Sequence, residues 1–207
     1  MGDGKRRAIG ELAALLVTVV LFLIFENLLH LKLQFLIPAA ALWTGYVALR
    51  LRAAPALASE WGLRMDSIAP AAPVLLGSFA VGLVGLVCWR LAVGGPALPP
   101  GAWILFLAYP VWSLIQQFVL QVLVASNLQR LGLARVVIVP LCAVLFGLAH
   151  LPDWPLAALC AVAGLAWTAI YLRRPHLPLL ALCHAWLGAL AFYWVLQRDP
   201  WTEMGPR

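Results

Sequence analysis

Between Ala102 and Val124 the chain runs 23 residues without a charge, yet it carries Gln116, Gln117 and Gln121 in the middle of that run. A helix rising about 1.5 Å per residue needs roughly 20 apolar residues to cross a bilayer, so this run spans one. An amide placed in hydrocarbon is costly unless something bonds it. Ser113, Gln117 and Gln121 recur at i, i+4 and i+8, which puts them in one polar stripe with Gln116 beside it. A polar stripe at membrane depth faces other helices or a wet cavity, not lipid. Its partners are therefore expected in the chain that follows.

Composition supports a membrane setting throughout. Of 207 residues, 64% are hydrophobic and only 11% charged, with a mean hydropathy of +0.96. A soluble domain of this size carries about a quarter charged residues. The expected fold is all-α: a polytopic membrane helix bundle, one membrane domain over residues 1–207. Seven apolar segments emerge, at about 8–25, 33–49, 71–91, 102–124, 136–150, 156–171 and 177–196. The first follows Lys5, Arg6 and Arg7 but lacks an A-x-A cleavage site, so it reads as an uncleaved span. The net charge of +6 reads as topology and not as a nucleic-acid footprint. Strict alternation with the N-terminus cytoplasmic gathers ten Lys and Arg inside (Lys5, Arg6, Arg7, Arg50, Arg52, Arg64, Arg130, Arg135, Arg173, Arg174). Four stay outside (Lys32, Arg90, Arg198, Arg207). Trp89, Trp103, Trp154, Trp194 and Trp201 then form an outer aromatic belt. The expected location is the bacterial inner membrane, with membrane lipid as a constant neighbour.

Two histidines lie at the edge of or within apolar runs. His150 closes Phe146-Gly147-Leu148-Ala149-His150, and His184 sits in Cys183-His184-Ala185-Trp186-Leu187-Gly188. Counted at ~1.5 Å per residue, Gln116 and His184 lie about 12 and 10 Å from the inner face, and His150 nearer 20 Å. Two imidazoles and an amide stripe on three spans point to a shared polar site. Neutral imidazole is a common ligand of a divalent metal ion. Asp153 could complete a set with His150 and His184, or cap the next helix. Glu11 reads as structural, Glu26 and His30 as interfacial, and His176 as edge polarity. Cys88, Cys142, Cys160 and Cys183 show no paired spacing and read as buried thiols. Arg50 to Pro70 reads as an amphipathic surface segment with Trp61, Leu63 and Met65 on its apolar side.

The order of these blocks resembles the CPBP family, the CAAX-prenyl endopeptidase and bacteriocin-processing (Abi) membrane proteins. Its pattern is EExxxR, FxxxH, HxxxN/D. Here the blocks are Gln116-Gln117-x-x-x-Gln121, Phe146-x-x-x-His150 and His184-x-x-x-Gly188, preceded by Trp61-Gly62-Leu63-Arg64. The resemblance covers residues 60–195, leaving 1–59 as two N-terminal spans and a linker. It implies peptide-bond cleavage near the end of a membrane-anchored or lipidated protein. Gln116, Gln117, His150 and His184 would be the catalytic positions, with Ser113, Gln121 and Phe146 supporting them. The family's glutamates and histidines hold or activate water with a metal; glutamine is not basic and cannot take a proton from water.

Three readings follow. One is a divergent protease-like enzyme. Another is a metal-dependent, non-hydrolytic enzyme acting on a lipid or isoprenoid-like substrate. The third is an inactive pseudoprotease or membrane partner protein whose glutamines tie helices together.

Overall fold

A computed structural model describes residues 2–94 and 97–199, with Asn27 and Lys32 described by backbone alone. Trp201 and Arg207 lie outside the described residues. Among those described there are nine α-helices: α1 (Asp3–Asn27), α2 (Lys32–Ala53), α3 (Leu57–Glu60), α4 (Ile68–Val93), α5 (Ala102–Gln117), α6 (Asn127–Leu131), α7 (Arg135–Leu148), α8 (Trp154–Tyr171) and α9 (Leu177–Trp194). A 3-10 turn, Met65–Ser67, leads into α4, and a π-helical stretch, Phe118–Ser126, joins α5 to α6 as one rod.

Five stretches are long and apolar enough to cross a membrane: Asp3–Glu26, Leu57–Val93, Ala102–Leu131, Trp154–Tyr171 and Leu177–Trp194. With α2 and the 14-residue α7 they account for the seven apolar segments of the sequence, so the chain is a polytopic helical bundle. α7 stops at Leu148, and His150 lies in the turn beyond it rather than on the helix.

Small residues set the closest approach in the bundle. A Cβ on Gly147 would lie 2.9 Å from the Ala157 carbonyl oxygen, and one on Gly164 would lie 3.0 Å from the Ala143 Cα. Without a hydrophobic drive between helices in lipid, such close packing is what holds α7 to α8. α9 is the centre of the bundle: α4 runs parallel to it, with Phe79 against Trp186 and Arg90 over Trp194. α5 runs antiparallel to it, with the Phe106 carbonyl accepting from Trp186 Nε1 at 3.1 Å and Ser113 Oγ donating to the Ala181 carbonyl at 2.6 Å.

Three expectations change in the fold. Trp61 is not on an amphipathic surface; it is 2% exposed, edge-on to Phe118 at 5.3 Å. Its position follows from Gly62, whose φ of +66° lets the chain press on Pro175, where a Cβ would meet the Pro175 carbonyl carbon at 2.5 Å. The Gly62 carbonyl then accepts from Leu177 N–H at 2.8 Å, and the Trp61 carbonyl from Tyr171 OH at 3.2 Å. His176 is likewise buried: its Nδ1 accepts from Leu179 N–H at 3.1 Å and caps α9. Cys142, Cys160 and Cys183 are buried thiols as expected, but Cys88 is exposed on the outer face of α4.

Candidate functional site

The stripe forms because α5 keeps helical spacing up to Gln117 and the wider turn that follows still leaves Gln121 beneath it. Ser113, Gln117 and Gln121 are fully buried. Gln117 Nε2 stands 3.1 Å from His184 Nδ1 on α9. Gln121 Nε2 donates to Gln117 Oε1 at 3.0 Å and to Thr168 Oγ1 on α8 at 3.2 Å. Because Gln117 commits its oxygen to Gln121, the end facing His184 is the N–H, and Nδ1 must offer its lone pair. The ring proton of His184 therefore sits on Nε2. Beyond Gln121 the helix is widened, and Ser126 Oγ donates to the Gln121 carbonyl at 2.9 Å, stabilising a turn that regular α-geometry lacks.

Aromatic rings close the space around His184. Trp167 lies 4.8 Å away, Phe146 5.5 Å and Tyr109 5.8 Å, centroid to centroid. His150 also packs edge-on with Phe146, at 5.0 Å. Its Nδ1–H donates to the Phe146 carbonyl at 2.7 Å, which leaves the lone pair on Nε2. The two histidines thus meet through a phenyl ring and not through a polar contact.

Gln116 stands apart from this network. It is half-buried, and its Oε1 is buried with no hydrogen-bond partner; the Oε1 of Gln121 is in the same condition. Gly188, at the Asx position of the resemblance, faces Tyr109: a Cβ there would lie 3.1 Å from Tyr109 Cε1 and 3.3 Å from its hydroxyl. The tyrosine fills the room that an Asx side chain would need.

The set of His150, His184 and Asp153 does not assemble. Asp153 Oδ1 accepts from Leu156 N–H at 3.1 Å, capping α8, and Oδ2 takes a short ion pair from Arg198. Burial alone would raise its pKa, but the Arg198 hydrogen bond, the Leu156 N–H and the Arg198 charge outweigh that and hold it below the usual aspartate value of 3.8. Among the described residues no three of His, Cys, Asp and Glu stand close enough to share an ion. With Asp153 committed to Leu156 and Arg198, this cluster offers a divalent cation two imidazoles, short of the three or four protein ligands that hold one, so the residues present do not fit it.

Sequence reading had missed Thr168, Tyr109 and Trp167. Thr168 carried a usable signal, a hydroxyl inside an apolar run. Tyr109 and Trp167 carried none, since aromatic residues in a span are ordinary.

Fold and centre together define a helical membrane protein built around a buried amide–imidazole chain. Residues 98–190 match the family model described as type II CAAX prenyl endopeptidase Rce1-like, the same kind of membrane protein that the order of the motifs resembles. The matched stretch contains every residue of the centre. No curated protein and no solved structure matches the chain.

Proposed function

We propose that this CAAX-protease-like membrane protein engages a membrane-anchored or lipidated polypeptide end without hydrolysing it. One observation carries the reading: both ends of the Gln117 amide are committed, one to His184 and the other to Gln121. Hydrolysis by a carboxylate needs a group at that place able to take a proton from water, and an amide cannot. The stripe's bonds run to α8 and α9, which is what helix-tying polar residues do in lipid. His184, with its proton on Nε2, is a donor suited to a carbonyl oxygen, not a base. The substrate class comes from the family alone.

A second reading keeps cleavage and rests on His150. With Nδ1–H fixed on the Phe146 carbonyl, its Nε2 holds the lone pair that a general base needs. One experiment separates the two. The purified full chain in micelles is incubated with a dye-labelled farnesylated peptide ending in a CAAX sequence, following anisotropy and cleavage together. Saturable binding with no turnover is the expected result. Turnover that disappears in both His150→Ala and His184→Ala would overturn it.

A further inference from the structure

The first two helices enclose space that the amide–imidazole centre does not use. Between α1 and α2 runs a groove in two joined parts. The part nearer the N-terminus is about 430 Å3, bounded by Arg7, Glu11, Thr18, Leu42 and Tyr46; the other is about 290 Å3 and continues to Phe25, Phe35 and Pro38. Thr18, Leu42 and Trp43 line both. We propose that this groove seats one anionic phospholipid from the leaflet on the N-terminal side, its head group on Arg7 and an acyl chain along α1 and α2.

Thr18 and Trp43, the polar side chains in the middle of the groove, are already used, and Gln34 stands at its far end. Thr18 Oγ1 donates to the Ala14 carbonyl at 2.8 Å and accepts from Trp43 Nε1 at 3.2 Å. Both leave the groove middle apolar, fit for a hydrocarbon chain. At the N-terminal end Glu11 is a carboxylate, yet Tyr46 OH and Arg50 Nη1 bond its Oε1, and Asn127 Nδ2 bonds its Oε2 at 2.7 Å. Its charge is answered from within the protein. Arg7 lines the groove, is exposed, and has no ion-pair partner among the described residues. Arg6 and Lys5 precede it and Arg52 ends α2 on the same side, so the mouth is positive. Asp3 is the exposed acid nearest in sequence and does not line the groove. Length agrees as well. In the part nearer the N-terminus, Arg7 to Thr18 is 11 residues, about 16 Å of helix, the depth of one leaflet in a hydrocarbon core of about 30 Å. A phosphate on an arginine at the membrane surface is the contact that charge complementarity favours.

The test uses the full chain, delipidated in neutral detergent, with phosphatidylglycerol and phosphatidylcholine of identical acyl chains. Native mass spectrometry counts retained lipid. The expected result is at least fivefold preference for phosphatidylglycerol at a stoichiometry of one. Arg7→Gln should bring that preference below twofold, whereas Arg6→Gln, outside the groove, should leave it. Leu42→Trp, at a side chain 75% exposed, should fill the groove and abolish retention of both lipids while the lipid-free Tm is unchanged. Equal retention of the two lipids would overturn the proposal. So would a preference that survives Arg7→Gln, or retention that survives Leu42→Trp.

Discussion

The contact between Gly188 and Tyr109 shows how one position can hold another in place. A side chain at residue 188 must move the Tyr109 ring, which sits between α5 and α9 beside His184. Gly188→Asn should cost about 1–3 kcal/mol of unfolding free energy, the usual penalty for overpacking. Adding Tyr109→Ala should recover part of that loss, because the two substitutions share one space. Denaturant unfolding of the single and double variants measures it. Asp153 gives a test by pH. Its folded pKa lies below 3.8, so the stability it contributes is present above that pH and drains away as pH falls through the lower folded value. Melting curves taken between pH 5 and pH 2.5 should show a loss that is smaller in Asp153→Asn. At this scale the sequence was legible where chemistry forces a partner. Buried amides on one helix face need donors and acceptors, so a histidine partner could be anticipated for Gln117. The cap at Asp153 was one of two readings left open, and Pro152 and Pro155 around it did not separate them. What could not be read was rotamer choice: nothing in Gln116-Gln117 says that the first would keep an unpartnered oxygen while the second is fully used.

Helices are the scale at which the sequence spoke most plainly. Uncharged runs bounded by Lys, Arg, Pro and Gly became helices close to where hydropathy placed them. The π-helical stretch after Gln117 escaped because its support is tertiary and its residues, Phe118 to Ser126, fit an ordinary helix equally well. The short α7 was legible within two residues: the apolar segment at 136–150 became Arg135–Leu148, packed closely on α8 through Gly147, and only His150 fell outside the helix. Glu11 read as structural from the sequence, and the helices show why. It joins α1 to Tyr46 and Arg50 on α2 and to Asn127 on α6, while Arg130 bridges Asn127 Oδ1 at 3.1 Å and Glu60 Oε2 at 3.0 Å. The side chains of Arg50 and Glu11 are 12% and 5% exposed. Glu11→Ala leaves Arg50 without its counter-charge in a mostly buried place, which costs about 3–5 kcal/mol. Glu11→Gln keeps one oxygen to accept from Tyr46 and Arg50 but sets an N–H2 against Asn127 Nδ2, so it should cost less than the alanine variant without being neutral. Protease nicking between α2 and α4, followed with unfolding, should rise in the alanine variant first.

Across the whole molecule, charge and polarity sort to two ends with an apolar middle, interrupted by the buried centre. One end holds the Glu11–Arg50–Asn127–Arg130–Glu60 network, and the other holds Arg90 over Trp194 and Arg198 on Asp153. Alternating helices deliver this arrangement, and the spacing of basic residues along the chain foreshadowed it. The centre itself ties three helices, α5, α8 and α9, through amides that in this account hold the bundle and do not activate water. A double-mutant cycle over Gln117→Ala and His184→Ala tests that most directly, with unfolding free energies measured in micelles. Each single variant should lose stability, and the pair should couple by about 1–3 kcal/mol. Losses that simply add to within about 0.3 kcal/mol, in a protein that nonetheless cleaves a farnesylated peptide, would contradict it.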